Sequence, residues 1–107
     1  MKNEIKDKWS EIITYLRDEY LINGVLFRTW IEPLEVISFQ NDTLLIAINK
    51  ETQGDILDLI EKRYKIPFQV AIEVKTDKQV DIRFVYMYIY HVYETNIKNR
   101  HIYQQKY

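Results

Sequence analysis

Cysteine is absent from the 107 residues, which removes disulfides, thiolate nucleophiles and Cys-ligated metal sites together. Glycine occurs only at Gly24 and Gly54. A Walker A loop and a Rossmann turn both need clustered glycines to bring backbone N–H groups onto phosphate, so neither is encoded. Histidine is confined to His91 and His101. Without cysteine or a convergent acid pair, these two make a poor metal site. No charge of one sign dominates: 15 basic residues face 16 acidic ones, a net charge of -1, with a pI near 6.1. That balance offers no electrostatic footprint for duplex nucleic acid. No apolar run approaches the ~20 residues that cross a bilayer, and the opening Met1-Lys2-Asn3-Glu4 is no signal core. A soluble, cytoplasmic protein without membrane attachment is expected, and no cofactor is implied.

What is present suffices for one modest core. The chain is 47% hydrophobic, ordinary for a globular domain and too apolar for disorder. Asn3 can cap a first helix over residues 4–20, where Trp9, Ile12, Ile13, Leu16 and Tyr20 recur on one face while Lys8, Glu11, Arg17 and Asp18 take the other. Leu21-Ile22-Asn23-Gly24 reads as a turn into a short second helix, residues 24–31, that buries Phe27, Trp30 and Ile31. Pro33 cannot donate a backbone hydrogen bond and pushes Glu32 out of helical geometry, so that helix must stop there.

Beyond the proline the period changes from helical to alternating. Leu34–Phe39 and Thr43–Ile48 form strands around the Asn41-Asp42 turn, with Leu34, Val36, Leu44, Ile46 and Ile48 pointing inward. Helical spacing returns over residues 49–64, with Ile56, Leu59, Ile60 and Tyr64 as its stripe and Gly54 weakening its start. Residues 67–75 read two ways: Phe68, Val70, Ile72 and Val74 alternate as in a strand, yet Pro67 suits the first position of a helix. From Val80 to Tyr93 the chain is expected to be extended, longer than an ordinary strand of about 5–6 residues. The tail, residues 94–107, is polar and basic. The order helix, helix, strand, strand, helix, strand makes an α+β domain with a small sheet covered on one face, ending in an extended C-terminal strand.

Several of these residues also carry a resemblance. Trp9 on the first helix, Leu16-Arg17-Asp18-Glu19, the run F-x-x-W-I-x-P-L (Phe27, Trp30, Ile31, Pro33, Leu34), Asp42-Thr43-Leu44, Asn49 and Arg63-Tyr64 together resemble the amino-terminal domain (domain I) of the bacterial replication initiator DnaA. The resemblance covers about residues 5–84 and implies a K-homology-like architecture. Its ungapped spacing from Tyr64 to Phe84 favours a helix at 67–75. It divides the chain into a domain I-like part, residues 1–84, and a C-terminal extension, residues 85–107. Because 85–107 does not resemble the polar linker expected next in an initiator, a free-standing relative is expected.

The resemblance also implies a role. Domain I in that family is not an enzyme; it self-associates and docks the replicative helicase and regulators of initiation. Trp9 thereby becomes a candidate self-association contact. Two helicase-facing family positions align with Leu26, where the family has an acid, and with Glu51, where it has an aromatic. The expected partners are replication-related proteins and a second copy, as a homodimer or larger oligomer.

From the residues alone, Trp9 on an apolar helix face is more often core, and only the resemblance makes contact equally open; Trp30 is more simply core. The run from Val85 to Tyr93 places Tyr86, Tyr88 and Tyr90 on one side of a strand too long for so small a domain to cover, which marks them as candidate interaction residues. The competing reading is a K-homology-like module stacking single-stranded nucleic acid on these tyrosines. The GxxG clamp of that class is absent, and Arg83, Lys98, Arg100 and Lys106 are the only nearby cations. An enzyme would need a nucleophile with its base or two carboxylates in contrasting environments. Neither Ser10 nor Ser38 has a histidine nearby in sequence, so a non-enzyme is expected.

Overall fold

A computed structural model describes residues 4–87. The helical cap of Asn3, the positions of Tyr88 and Tyr90, both histidines and the tail lie outside the described residues. The domain is α+β, as the periodicity predicts: helices pack on one face of a three-stranded sheet of order β1-β2-β3.

The expected first helix is two pieces, α1 (Glu4–Asp7) and α2 (Trp9–Glu19). Lys8 leaves helical geometry at the joint. Its ammonium bridges to Glu4 at 3.4 Å and donates to the carbonyl of Lys75 at 3.1 Å. A cation there suits the negative end of the long helix that carries Lys75. Ile5, Ile12, Ile13 and Leu16 are buried as the stripe requires, but Tyr20 is exposed. It stands at the end of α2, where the chain turns away from the core.

The second helix is also not uniform. Asn23 caps α3 (Gly24–Leu26) by accepting from the N–H of Leu26 at 2.8 Å. The chain then widens into a π-helical turn, Phe27–Ile31, closed by Glu32 N–H donating to the carbonyl of Phe27 at 2.8 Å. The Thr29 hydroxyl donates back to the carbonyl of Val25 at 2.8 Å, the kind of competition that disturbs a regular helix. Phe27 and Ile31 are buried. Trp30 is half-buried against the core, not enclosed by it.

β1 (Glu35–Gln40) and β2 (Thr43–Ile48) form the expected hairpin. Asn41 and Asp42 take φ of 52° and 61°, the left-handed pair of a type I′ turn. A bulge between Val36 and Ser38 inserts Ile37 without breaking the inward face. Leu34, Val36, Leu44, Ile46 and Ile48 are all buried.

The third helix departs most from the sequence reading. Asn49 caps only a short α4 (Lys50–Gln53), accepting from the N–H groups of Glu51 and Thr52. Gly54, at φ 89°, then breaks the chain and does more than weaken a turn. α5 runs from Leu57 to Thr76 straight through Pro67, so residues 67–75 are helix but Pro67 does not start it. Tertiary pairing decides this: β3 (Asp81–Tyr86) lies parallel to β2, from Thr43↔Asp81 to Ile48↔Tyr86, and a parallel pair needs a long crossover. Of the stretch expected to be extended from Val80 to Tyr93, β3 covers Asp81–Tyr86, paired to the end of β2, and residues 88–93 lie outside the described residues.

The core sits between the sheet and the helices. Phe68 is fully buried at its centre. Its ring lies parallel to that of Trp9 at 5.5 Å and edge-on to Phe84 at 6.2 Å, so α2, α5 and β3 meet on one side chain.

Candidate protein-interaction surface

At the connection between α2 and α3 three exposed apolar side chains, Tyr20, Leu21 and Val25, fall within six residues. α2 ends with Ile22 N–H donating to the carbonyl of Arg17 at 3.0 Å, which forces Leu21 into the left-handed region at φ 53°. That position ordinarily belongs to glycine; a side chain there costs about 1–2 kcal/mol. Leu21 is nevertheless a leucine, and it is 88% exposed. A strained backbone that holds an apolar side chain in water is poor economy for folding alone, and such outliers cluster at functional sites.

Leu21 has company. Val25, the second residue of α3, is 65% exposed, and Tyr20 is exposed next to Leu21 in the chain. Leu26, singled out from the sequence, is half-buried and packs on the core from between two hollows. On one side is a groove of about 690 Å³ bordered by Val25, Arg28 and Trp30. On the other is a cleft of about 260 Å³ where Leu21 and Tyr20 face Arg63 and Pro67 of α5. The Asn23 cap fixes the angle of α3, so Leu26 is held by rigid elements although its neighbours belong to a turn.

The other sequence candidates lie elsewhere. Trp9 opens α2 with its ring committed to the stack on Phe68, and its indole N–H is buried without a hydrogen-bond partner. Glu51 is exposed on α4, where its backbone N–H is tied to the Asn49 side chain at 3.0 Å. Tyr86 is half-buried at the end of β3 and serves the start of α5: Leu57 N–H donates to its hydroxyl at 3.3 Å, and the hydroxyl donates to Asp55. Ile56 supplies no side-chain cap, so Tyr86 replaces one. Loss of solvation raises its pKa above the ordinary phenol value, and the bond to Asp55 adds to the rise. Lys50 lies over the same ring at 5.2 Å. Tyr88 and Tyr90 lie outside the described residues.

Sequence reasoning missed Leu21 and Val25. The signal was available only in part: an apolar residue where a helix C-terminus wants glycine. Among the described residues no three His, Cys, Asp or Glu side chains are grouped to hold a metal ion, and no helix is long and apolar enough to cross a membrane.

No protein-family model matches the chain. Over 86 residues it is 30% identical to the chromosomal replication initiator protein DnaA of Lachnoclostridium phytofermentans. The alignment covers 79% of this chain and 19% of that protein, so what is similar to DnaA here is one small α+β domain corresponding to a fraction of the initiator's length.

Proposed function

We propose that this domain is a non-catalytic docking module of the DnaA domain I kind, working in the cytoplasm, which binds replication or regulatory proteins through the surface around Leu21, Val25 and Leu26. The observation that carries the reading is Leu21. A helix terminus that would be more stable with glycine keeps an exposed leucine at the rim of the cleft that Leu26 also lines. The similarity to DnaA supports the class of partner. Trp9 contributes by holding α2 against α5. Glu51 and Tyr86 border the far end of α5 and are assigned no contact in this reading.

The test is binding of the purified full chain to purified replicative helicase and initiation regulators of the same host. Saturable binding to at least one is expected, weakened about tenfold or more by Leu26→Asp, as for a central apolar contact. Failure of the folded chain to bind any of them, or indifference of binding to both Leu26→Asp and Leu21→Gly, refutes the reading.

A further inference from the structure

β2 is apolar without a break from Leu44 to Ile48. A sheet covered on one face asks only for alternation; an unbroken apolar run belongs to a strand covered on both. Leu44, Ile46 and Ile48 face the helices and belong to the core cluster. Leu45 and Ala47 therefore lie on the opposite face. Ala47 is fully buried and Leu45 half-buried, yet neither joins that cluster or packs against it. The neighbouring strands extend the patch. Val85 of β3 stands opposite Ala47, and the bulge of β1 sets Ile37 beside Ser38, the residue opposite Leu45. Both are half-buried and outside the core cluster. All three strands thus contribute to a second apolar patch, on the face away from the helices.

The chain itself runs to the edge of this patch. Val85 lies two residues before Met87, the last described residue, and residues 88–107 follow. Three strands are about 10 Å across. About four extended residues span that distance, so reach is no obstacle. The following segment also brings apolar side chains early, at Ile89, Val92, Tyr93 and Ile97. Charge gives it a direction. Arg83 of β3 stands opposite Leu45 and Glu35 of β1 opposite Ala47, and among the described residues neither makes an ion pair. A segment leaving β3 carries its acid first, Glu94, and its bases later, Lys98 and Arg100. Crossing towards β1, it meets Arg83 and then Glu35 in the complementary order.

We infer that residues 88–107 of this same chain cross the outer face of the sheet from β3 towards β1 and cover Ile37, Leu45, Ala47 and Val85. Apolar side chains between Ile89 and Ile97 fill the patch, with Glu94 on the Arg83 side and Lys98 and Arg100 on the Glu35 side. The sheet is then closed on both faces, as the pattern of β2 requires. Leu26 packs from the helical side, so this contact is independent of the docking surface.

The experiment uses the absence of cysteine, which lets a single introduced thiol carry a nitroxide spin label on the full chain. One label goes on Gln40→Cys, exposed on β1 at the margin of the patch, and a control label on Glu73→Cys, exposed on α5. Amide signals of residues 88–107 should lose intensity next to the Gln40 label and keep it with the Glu73 label. A mixture of labelled chain with isotope-enriched unlabelled chain should show no loss. Leu45→Asp, with circular dichroism to confirm folding, and Tyr93→Asp, which lies outside the described domain, should each restore the signals. Leu26→Asp should leave the loss unchanged. Equal loss from both labels, or none from either, overturns the assignment and leaves the patch to another protein. Loss in the mixed sample overturns it in favour of a second copy. A loss that persists in both folded Leu45→Asp and Tyr93→Asp shows that the apolar patch is not what holds the segment, and overturns it as well.

Discussion

Among the turns that enter the left-handed backbone region, two have residues that could hardly differ more. At the hairpin, Asn41 and Asp42 occupy φ values of 52° and 61°, and both are residue types that tolerate this region because a short polar side chain can bond locally. At the end of α2, Leu21 occupies φ 53° with a branched apolar side chain that gains nothing from it. The hairpin turn matches its residues to its geometry and needs no reason beyond the fold. The α2–α3 turn does not match, and its strain is retained together with an exposed apolar side chain. Agreement between local chemistry and backbone marks structure; disagreement marks a place where something else is being selected.

The comparison can be broken from either side. Asn41→Val puts a β-branched residue into the type I′ turn and should cost about 2 kcal/mol, read from urea denaturation. If that variant is as stable as wild type, the hairpin turn is not set by its residues. Asn23→Ala removes the side chain that accepts from Leu26 N–H and should cost about 1 kcal/mol. The same change should loosen the docking surface, because α3 then loses its fixed start.

Leu21→Gly should do the opposite of an ordinary surface change. Relief of the left-handed strain, less the extra freedom glycine has when unfolded, should stabilise by about 0.5–1 kcal/mol. Partner binding should fall in the same variant. A destabilised Leu21→Gly protein, measured by thermal denaturation, would mean that the leucine is held for the fold.

The smallest effect concerns a helix start that lacks its own cap. Tyr86 has its pKa raised in the folded state by loss of solvation and by its bond to Asp55. The fold therefore favours the neutral phenol. That contribution is complete below the unfolded value near ~10 and is lost as pH rises through the higher folded value. Tyr86→Phe should flatten the alkaline limb of a stability–pH curve and, because the hydroxyl also stands in for the cap of α5, lower stability in the neutral region by about 0.5 kcal/mol. An unchanged alkaline limb would show that the phenol is not the group responsible.

How much of this was legible in the residues differs by element. The hairpin could be read outright, since alternation, turn chemistry and the inward set Leu34, Val36, Leu44, Ile46 and Ile48 all point the same way. The interruptions at Lys8 and Gly54 were not readable as breaks, because helical periodicity continues across both. Residues 67–75 carry strand alternation and a helix-start proline, and neither signal describes their place in the middle of α5. The proposed docking surface was half legible: Leu26 stands out by comparison with the initiator family, while Leu21 and Val25 are unremarkable until the turn geometry and their exposure are known.

By itself the sequence determined which functions are closed to this protein, since chemistry needs residue types that are missing, and where most elements lie, since periodicity follows from backbone geometry. Only the tertiary structure decided that β3 pairs parallel to β2, that α5 crosses Pro67 unbroken, and which apolar side chains of α5 lie inside. The reason is physical. Local preferences of competing kinds differ by about 1 kcal/mol per residue, whereas filling the space around Phe68 is worth about 3–5 kcal/mol for that one ring, so packing settles what the local signals leave balanced.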